Sequence, residues 1–262
     1  MAIVTTAETP LASTTAPAVQ PIVALDVRTR RDAESMVARL GEHCDFYKVG
    51  LELFTAEGPP IVRWLRGAGK RVFLDLKLHD IPNTVRGAAR SAAGLGASLL
   101  TVHASGGSDM VRAAVLGAAE GAGEGAQELG GDVAVGCGIL GVTILTSLDG
   151  SAVDSAWGRS GSDVLTEVVR LAGLVRDGGG AGVVCSGHEA AAVRSAYGAT
   201  LGTLVPGIRL SGGEHHDQRR VMTPGSAAAA GARWIILGRA VTDAADPVAA
   251  MIAVHEELAS GC

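Results

Sequence analysis

Val72-Phe-Leu-Asp-Leu-Lys-Leu-His-Asp-Ile-Pro-Asn83 begins as an apolar, β-favouring run and ends as a charged turn. Because side chains alternate along a strand, Asp75 and Lys77 should share one face, while the leucines beside them occupy the other. Asp80 follows just past the strand end. Proline disfavours a helical conformation in the residue before it, so Asn83 is predicted to cap the helix that follows. The pattern predicts a strand that is apolar on its outer face and charged on its inner face.

Two carboxylates around one lysine have a chemical use. They favour the ammonium form of Lys77 and hold it in place, and a fixed ammonium group can donate a proton. The same residues could instead form a local salt bridge on a surface strand. In a barrel of parallel strands, however, the inner face at the carboxyl ends of the strands is where active sites lie.

The length and composition of the chain fit such a barrel. The chain has 262 residues, of which 47% are hydrophobic, and about 250 residues are typical of one (β/α)8 barrel. Short β-like runs alternate with Ala-rich helical segments, which favours parallel strands joined by crossover helices. We predict an α/β fold, a single-domain (β/α)8 TIM barrel over residues 21–262. Residues 1–20, rich in Ala, Thr and Pro, are predicted to be a disordered N-terminal tail.

Strands and helices can be placed approximately from the sequence. The predicted strands are 22–26, 46–50, 72–77, 98–103, 138–145, 182–186, 203–206 and 234–238. The clearest predicted helices are 32–40, 59–67, 84–93 and 163–175. Two glycine-containing segments are predicted to be irregular: 120–131 as a loose loop or frayed helix end, and 149–161 as a mobile surface loop, with a lid as the alternative.

Charge, hydropathy and cysteine usage exclude several classes of protein. The net charge is −5 and the 22 Lys and Arg residues are spread along the chain, so nucleic-acid binding is not expected. No apolar run reaches the about 18 residues that a membrane span needs. The four cysteines form no CxxC pair, so reduced thiols in a cytoplasm are the simplest expectation. His79 and His103 lack a second ligand at metal spacing and are interpreted as hydrogen-bonding residues, so no metal site is predicted.

Charged residues at the ends of neighbouring strands extend the first pattern. Asp26 ends the first predicted strand and Lys48 lies within the second. Either residue alone is more often a solvated charge. With Asp75, Lys77 and Asp80 they form an alternating set of acids and lysines from three adjacent strands. Such a set suits a small hydroxylated substrate that needs both donors and acceptors.

The last two predicted strands carry features of an anion site. Val205-Pro-Gly-Ile-Arg209 follows the seventh strand and Leu237-Gly-Arg-Ala240 follows the eighth. Phosphate sites in such barrels commonly use these loops, where glycine admits the anion to backbone N–H groups and arginine adds a bidentate donor. Gln218 could add an amide donor, and the alternative for Arg239 is an ordinary surface arginine. A phosphorylated substrate is therefore predicted.

These motifs together resemble a known family. Phe73-Leu-Asp-Leu-Lys-Leu-His-Asp-Ile-Pro-Asn-Thr-Val85 is similar to the signature of the orotidine 5'-monophosphate decarboxylases, and the similarity runs in order through most of residues 22–252. The supporting motifs are Ala24-Leu-Asp-Val27, Tyr47-Lys-Val-Gly50, Val102-His-Ala-Ser-Gly-Gly107, Val142-Thr-Ile-Leu-Thr-Ser147, Gly182-Val-Val-Cys-Ser186, Val205-Pro-Gly-Ile-Arg209 and Ile236-Leu-Gly-Arg239.

The resemblance implies an activity and a catalytic set. The family converts orotidine 5'-monophosphate (OMP) to uridine 5'-monophosphate (UMP) and CO2, the last step of de novo pyrimidine synthesis, using neither a metal nor an organic cofactor. By this resemblance, Lys77 stabilises the carbanion that forms at C6 of the pyrimidine and then protonates it. Asp75 lies near the departing carboxylate and beside Lys48. Asp80 reaches in from the partner subunit of a homodimer and completes the network.

The resemblance also implies substrate contacts. Asp26 and Lys48 match positions that contact the ribose hydroxyls, Asp75 contacts the substrate near its carboxylate, and Thr84 matches a contact made across the dimer. The remaining implied contacts are Thr146 and Ser147 at the pyrimidine, Gln218, Gly238 and Arg239 at the phosphate, and Arg209 as a further substrate-binding arginine.

Two other functions stay open on the sequence alone. One is a magnesium-dependent decarboxylase or aldolase of the same superfamily that acts on a 3-keto-hexulose phosphate and shares the Asp-x-Lys-x-x-Asp core. The other is a catalytically silent barrel that only binds a nucleotide or a partner protein. The intact charged set argues against the silent barrel, because a binding protein has no need of a lysine flanked by two acids.

Overall fold

A computed structural model describes residues 19–128, 136–210 and 222–260, with the backbone alone for residues 124–128. Nearly all of the predicted tail, as well as Gln218 and Cys262, therefore lies outside the described residues. The first strand starts at Gln20, one residue inside the range predicted for the tail. The Gln20 N–H donates to the carbonyl of Arg233 at 3.0 Å, so the barrel already includes this residue.

Eight parallel strands close into a barrel in sequence order, and the last strand pairs with the first. This arrangement confirms the predicted (β/α)8 barrel and the position of each predicted strand within a few residues. The strands are β1 (Gln20–Leu25), β2 (Phe46–Gly50), β3 (Arg71–Leu78), β4 (Leu99–His103), β5 (Gly138–Val142), β6 (Gly182–Val184), β7 (Gly202–Val205) and β8 (Trp234–Leu237).

Helices connect the strands and pack around the barrel. They are α1 (Arg30–Leu40), α2 (Leu51–Glu57), α3 (Pro59–Gly67), α4 (Pro82–Gly94), α5 (Gly107–Glu128), α6 (Gly150–Trp157), α7 (Val164–Asp177), α8 (Gly187–Tyr197), α9 (Pro224–Ala229), α10 (Arg239–Thr242) and α11 (Pro247–Ser260). Within residues 19–128, 136–210 and 222–260, none of them is long and apolar enough to cross a membrane.

Alternating side chains divide the core into two layers. The layer inside the barrel consists of Ile22, Ala24, Phe46, Phe73, Leu99, Leu140, Leu204, Trp234 and Ile236. The larger layer lies between strands and helices and includes Leu74, with Leu76 and Leu78 packed against it. The predicted outer apolar face of β3 is therefore confirmed. Burial of each such side chain contributes on the order of 1.5–3 kcal/mol.

Two strands end earlier than predicted. β5 ends at Val142 rather than at position 145, and β6 ends at Val184 rather than at position 186. Ser186 precedes α8, and its backbone N–H donates to the carboxylate of Glu189 at 2.6 Å. The hydrogen bond that caps α8 therefore ends β6 earlier than the β preference of its sequence predicts.

The helix after β3 starts differently from the prediction. α4 begins at Pro82 with Ile81 as its N-cap residue, so the prediction that Asn83 caps the helix is wrong. Proline is favourable at the first helical position because it has no N–H to leave unpaired. The Asp80 carboxylate accepts a hydrogen bond from the Ile81 N–H at 2.6 Å and stabilises the turn into the helix.

The segment 149–161 is not the surface loop predicted from its Ser and Gly content. Residues Gly150–Trp157 form α6, and the side chain of Asp149 caps its first turn. The Asp154 carboxylate accepts from the N–H of Ser162 at 2.9 Å, which ties the end of the segment back to the helix. Hydrogen bonds to the Asp149 and Asp154 side chains order this segment. Because these bonds rather than an apolar face stabilise the helix, the spacing of apolar residues did not indicate it.

The Gly-rich segment 120–131 is helical as far as it is described. α5 runs to Glu128, so the loose-loop alternative is wrong up to that point, and the rest of the segment lies outside the described residues. Nearby on α5, Gly117 and Gly121 lie against backbone carbonyls of α4, where a methyl group would clash. Glycine serves close helix packing here rather than a turn.

Candidate active site

A cavity of about 320 Å³ lies at the carboxyl ends of the strands. Its apolar lining comes from the inner core layer and includes Phe73, Leu204 and Ile236. Its polar lining comprises Asp26, Lys48, Asp75, Lys77, Thr146, Arg209 and Arg239. Inward-facing positions are thus apolar deep in the barrel and charged near its mouth, as in a site built for a small polar ligand.

Lys48 bridges the acids of the first and third strands. Its Nζ atom lies 2.7 Å from Asp26 Oδ1 and 4.0 Å from Asp75 Oδ2. The Lys48 side chain is 10% exposed, whereas that of Asp26 is 66% exposed. The lysine is therefore buried between two acids, and one of those acids reaches the mouth of the cavity. Pairing matters here because an unpaired buried ammonium group is costly.

Asp75 is the centre of the charged network. Its Oδ2 atom accepts a hydrogen bond from Lys77 Nζ at 2.8 Å. Its Oδ1 atom accepts a hydrogen bond from the hydroxyl of Thr101 at 2.9 Å. Both carboxylate oxygens are thus held, and the Asp75 side chain is only 16% exposed. The structure brings Lys48, Asp75 and Lys77 together, as expected from the alternation of side chains on their strands.

A bulge in β3 contains both Asp75 and Lys77. Ladder pairing with β4 shifts between Leu74 and Leu78, so residues 75–77 stand opposite Thr101 alone. Lys77 has a φ of 49°, in the left-handed region that residues with a side chain rarely adopt. The backbone conformation at Lys77 is therefore an irregularity of the strand and does not result from regular strand pairing.

Asp80 and Thr84 do not line the cavity of their own barrel. Both are exposed, Asp80 in the turn before α4 and Thr84 in the first turn of α4. The carboxylate of Asp80 accepts from the N–H of Ile81, and the Thr84 N–H donates to the Ile81 carbonyl at 3.0 Å. Among the ion pairs of the described residues, none joins Asp80 to Lys77. Within one chain the network therefore has three of its four predicted catalytic members.

The β7 and β8 side of the cavity carries the arginines. Arg209, Gly238 and Arg239 all line it. Arg209 is 9% exposed, and its Nε atom is buried without a hydrogen-bond partner among the described residues. A buried guanidinium group with an unused N–H is suited to bind an anion. Gln218 cannot be placed because it lies outside the described residues.

The segment after β5 is only partly at the cavity. Thr146 is one of the lining residues, whereas Ser147 is exposed and does not belong to the lining. The structure therefore brings one of the two predicted pyrimidine contacts to the site.

His79 and His103 lie close to each other beside this network. Their ring centroids are 5.5 Å apart. Burial lowers the pKa of His103 below its ordinary value, and electrostatic interaction with His79 and Lys77 lowers it further, while Asp75 opposes them. The neutral form of His103 is thereby favoured.

Thr101 is a site residue that the sequence analysis missed. It is fully buried and contacts both Asp75 and Lys77. The signal that could have found it is the alternation Leu99, Thr101, His103 on β4, which places all three on the inner face of the barrel.

Comparisons with known proteins agree on one family. The family model described as "Orotidine 5'-phosphate decarboxylase / HUMPS family" matches residues 20–254. The chain is 50% identical over 231 residues to an orotidine 5'-phosphate decarboxylase of Anaeromyxobacter dehalogenans, covering 88% of this chain and 94% of that one. It is 46% identical over 237 residues to the Moorella thermoacetica protein of that name, covering 90% and 91%. The crystal structure of the Lactobacillus acidophilus orotidine 5'-phosphate decarboxylase superposes with a TM-score of 0.79 at 33% identity, covering 92% of this chain and 99% of that chain.

Proposed function

Because the chain belongs to the orotidine 5'-phosphate decarboxylase / HUMPS family, we propose that its barrel cavity binds OMP and converts it to UMP and CO2. The chain is a carboxy-lyase, and this reaction ends de novo pyrimidine synthesis. The observation that carries the proposal is the contact of Lys77 Nζ with Asp75 Oδ2 at 2.8 Å, inside a cavity that two arginines also line.

The charges of the lining indicate how the substrate lies. Arg209 and Arg239 supply donors for the phosphate on the β7 and β8 side. Asp26 and Lys48 offer an acceptor and a donor 2.7 Å apart, which suits neighbouring ribose hydroxyls. Thr146 would then face the pyrimidine. Gly238 leaves room beside the phosphate, while Ser147 and Gln218 remain expectations from the family.

Lys77 carries the chemical step. The bond between C6 and the carboxylate carbon breaks, CO2 leaves, and the electron pair stays on C6. The Lys77 ammonium group stabilises that charge through its proximity and then transfers a proton to C6, leaving a neutral amine that solvent reprotonates. A fixed charge of this kind is effective because it needs no reorganisation during the reaction.

Asp75 supports Lys77 from the other side. Its carboxylate is held by Lys77 and Thr101, with Lys48 nearby, which supports a role in organising the ammonium group. A carboxylate beside the departing carboxylate of OMP also destabilises the bound substrate. Both effects would act through the same Asp75 carboxylate.

We also propose that the active unit is a homodimer in which Asp80 and Thr84 complete the site of the partner. Asp80 is exposed and faces no cation of its own chain among the described residues. Next to it Ile81 is 67% exposed, and Leu116 on the adjacent helix is 50% exposed. Exposed apolar residues beside an acid without an ion-pair partner among the described residues support a self-complementary interface at this face.

Mixing two inactive variants tests the shared site. Lys77→Ala and Asp80→Ala are each expected to be inactive alone. Refolding them together gives hybrid dimers with one site that contains both Lys77 and Asp80, so about a quarter of the wild-type activity should return. Failure of any activity to return, with dimers present by sedimentation, would show that Asp80 does not act across the interface.

The activity itself is tested by following OMP absorbance with the unmodified protein in excess chelator. Turnover should persist, and Lys77→Ala should abolish it. Lys70→Ala is the matched control, because Lys70 lies just before β3 at the opposite end of the barrel and donates to the carbonyls of Gly41 and Cys44. Loss of turnover in chelator, with recovery on added Mg²⁺, would favour the sugar-phosphate relatives instead.

Two observations disfavour the competing functions. The curated relatives at 45–50% identity are named orotidine 5'-phosphate decarboxylases. A silent binding barrel would not keep Lys48, Asp75 and Lys77 in hydrogen-bond and ion-pair contact.

For the compartment, we propose the cytoplasm. The three described cysteines, Cys44, Cys137 and Cys185, are free thiols. Burial raises the pKa of Cys137 to about 12 and raises that of the other two thiols. Such thiols are unreactive, and free cysteines are typical of a reducing compartment.

A further inference from the structure

We infer that Thr101 is a positioning residue for decarboxylation, whose single hydroxyl fixes the Asp75 carboxylate and the backbone of Lys77 at the same time. The inference rests on the proposed function, because it concerns the reaction that Lys77 performs. It assigns a role to a residue that does not itself line the cavity but contacts two residues that do.

The hydroxyl of Thr101 is placed between the two catalytic residues. It accepts a hydrogen bond from the Lys77 N–H at 2.9 Å and donates one to Asp75 Oδ1 at 2.9 Å. A hydroxyl group can do both at once because it has one hydrogen and two lone pairs. Thr101 is fully buried, so water does not compete for either bond.

The bulge in β3 explains why a side chain is needed here. Regular pairing with β4 is lost between Leu74 and Leu78, and residues 75–77 face Thr101 alone. The N–H of Lys77 accordingly has no backbone acceptor in the ladder. An unpaired buried N–H is costly, and the Thr101 oxygen replaces the missing carbonyl.

Two consequences for catalysis follow from this contact. With Oδ1 bound to Thr101, the Asp75 carboxylate presents Oδ2 to Lys77 Nζ, 2.8 Å away. The same hydroxyl also holds Lys77 at its φ of 49°, from which its side chain enters the cavity. Without the hydroxyl, the carboxylate can rotate and the lysine backbone can relax, so the ammonium group loses its defined distance to C6.

Three variants separate positioning from packing. Thr101→Val keeps the shape and removes the hydroxyl, and Thr101→Ser keeps the hydroxyl and removes the methyl group. Thr143→Val is the matched control, since Thr143 is 4% exposed and its hydroxyl donates to the Val184 carbonyl at 2.8 Å without contacting the charged network. For each protein, the experiment measures kcat, KM, the Kd for UMP and Tm.

A positioning role predicts a defined pattern in these measurements. Thr101→Val should lower kcat about 10- to 100-fold while KM and the Kd for UMP change by less than about threefold. Thr101→Ser should restore kcat to within about threefold of wild type. Thr143→Val should lower Tm as Thr101→Val does and leave kcat unchanged.

Other patterns overturn the inference. If Thr101→Val keeps wild-type kcat, or if Thr101→Ser loses as much kcat as Thr101→Val, the hydroxyl does not position the site. If kcat falls equally in Thr143→Val, the effect is one of general stability. If the wild-type protein does not turn over OMP, the proposed function is wrong and this inference fails with it. If the wild-type protein and Thr101→Val are both fully active, the proposed function stands and only this inference fails.

Discussion

The Nζ atom of Lys48 lies 3.1 Å from the point at which a Cβ atom on Gly50 would stand. That point is also 3.6 Å from Asp26 Oδ1. Gly50 itself has an extended backbone, with φ −90° and ψ −177°, which any residue can adopt. Its lack of a side chain therefore provides space rather than conformational freedom, and the buried lysine occupies that space beside Asp26.

Replacing Gly50 with Ala should disturb the Lys48–Asp26 contact while leaving the barrel folded. The methyl group forces the tip of the lysine to move by a few tenths of an ångström, which changes its contacts with both acids. We expect roughly a tenfold loss in kcat/KM, since small displacements of positioning groups have effects of this size. Steady-state kinetics with OMP measures it.

Gly67→Ala is the control for that variant. Gly67 ends α3, and nothing lies within 4 Å of its added Cβ atom. Its kinetics should equal those of wild type. Equal kinetics for Gly50→Ala and Gly67→Ala would mean that the space beside Lys48 has no catalytic importance.

Arg239→Ala should raise KM strongly, by roughly 10- to 100-fold, because it removes a charged donor that we propose for the phosphate. Binding energy at a phosphate also helps to close a site over the reacting atoms, so kcat should fall as well. An unchanged KM contradicts the assignment. Arg233→Ala is the matched control, because Arg233 precedes the same strand at its other end and stacks on Trp234 with 4.6 Å to the ring centroid; its KM should not change.

Gly117→Ala should destabilise the fold by about 1–3 kcal/mol, a typical cost of overpacking. Its methyl group would clash with the backbone carbonyl of Arg86, so α5 must move away from α4. Gly123→Ala on the same helix has nothing within 4 Å and should be neutral or stabilising by up to about 1 kcal/mol. Urea unfolding of both variants checks the difference, and equal midpoints would rule out a tight contact between the helices.

His103 should make the stability of the protein fall in mildly acidic solution. Its pKa is lowered below 6.5 first by burial and then by His79 and Lys77, with Asp75 opposing. At a pH above the ordinary pKa of histidine, His103 is neutral in both the folded and the unfolded state. As the pH falls through that value, the unfolded state takes up the proton first, and the free energy of unfolding decreases.

The comparison of His103→Asn with wild type isolates this contribution. Urea unfolding at about pH 7.5 and about pH 5.5 should show a smaller loss of stability in the variant than in the wild-type protein. His188→Asn, on the exposed side of α8, should keep the wild-type loss. A His103→Asn variant with the full wild-type loss would show that other groups cause the pH dependence.

The sequence was sufficient for the fold because several local signals agree. Most strands are short, mainly apolar runs separated by Ala-rich helical segments, and the alternation in β3 correctly separates its outer leucines from Asp75 and Lys77. Helix boundaries were less predictable where one side chain decides them. Pro82 starts α4 because proline is favourable at the first helical position, although Asn83 next to it is a good capping residue. Asp149 caps α6 although the segment that follows is rich in Ser and Gly.

The candidate site was predictable where a charged residue lies on a strand and not where contact depends on irregular geometry. Lys48 and Asp75 lie on strands and Asp26 directly follows one, so the strand pattern places all three near the carboxyl ends of the strands. Thr101 looks like an ordinary β-favouring residue until the bulge in β3 places it opposite three residues. The place of Asp80 cannot be predicted from periodicity, because it lies at a turn whose direction is set by the residues that follow.

The backbone of Lys77 has a consequence for any effort to make this barrel more resistant to heat. Holding a non-glycine residue at a φ of 49° costs of the order of 1–3 kcal/mol. The strain sits on the residue that we propose as the proton donor, so replacing it with glycine should relax the backbone and abolish turnover together. Selection of a variant library for thermostability alone should therefore enrich inactive variants with glycine at position 77. Such a selection needs a parallel screen for activity.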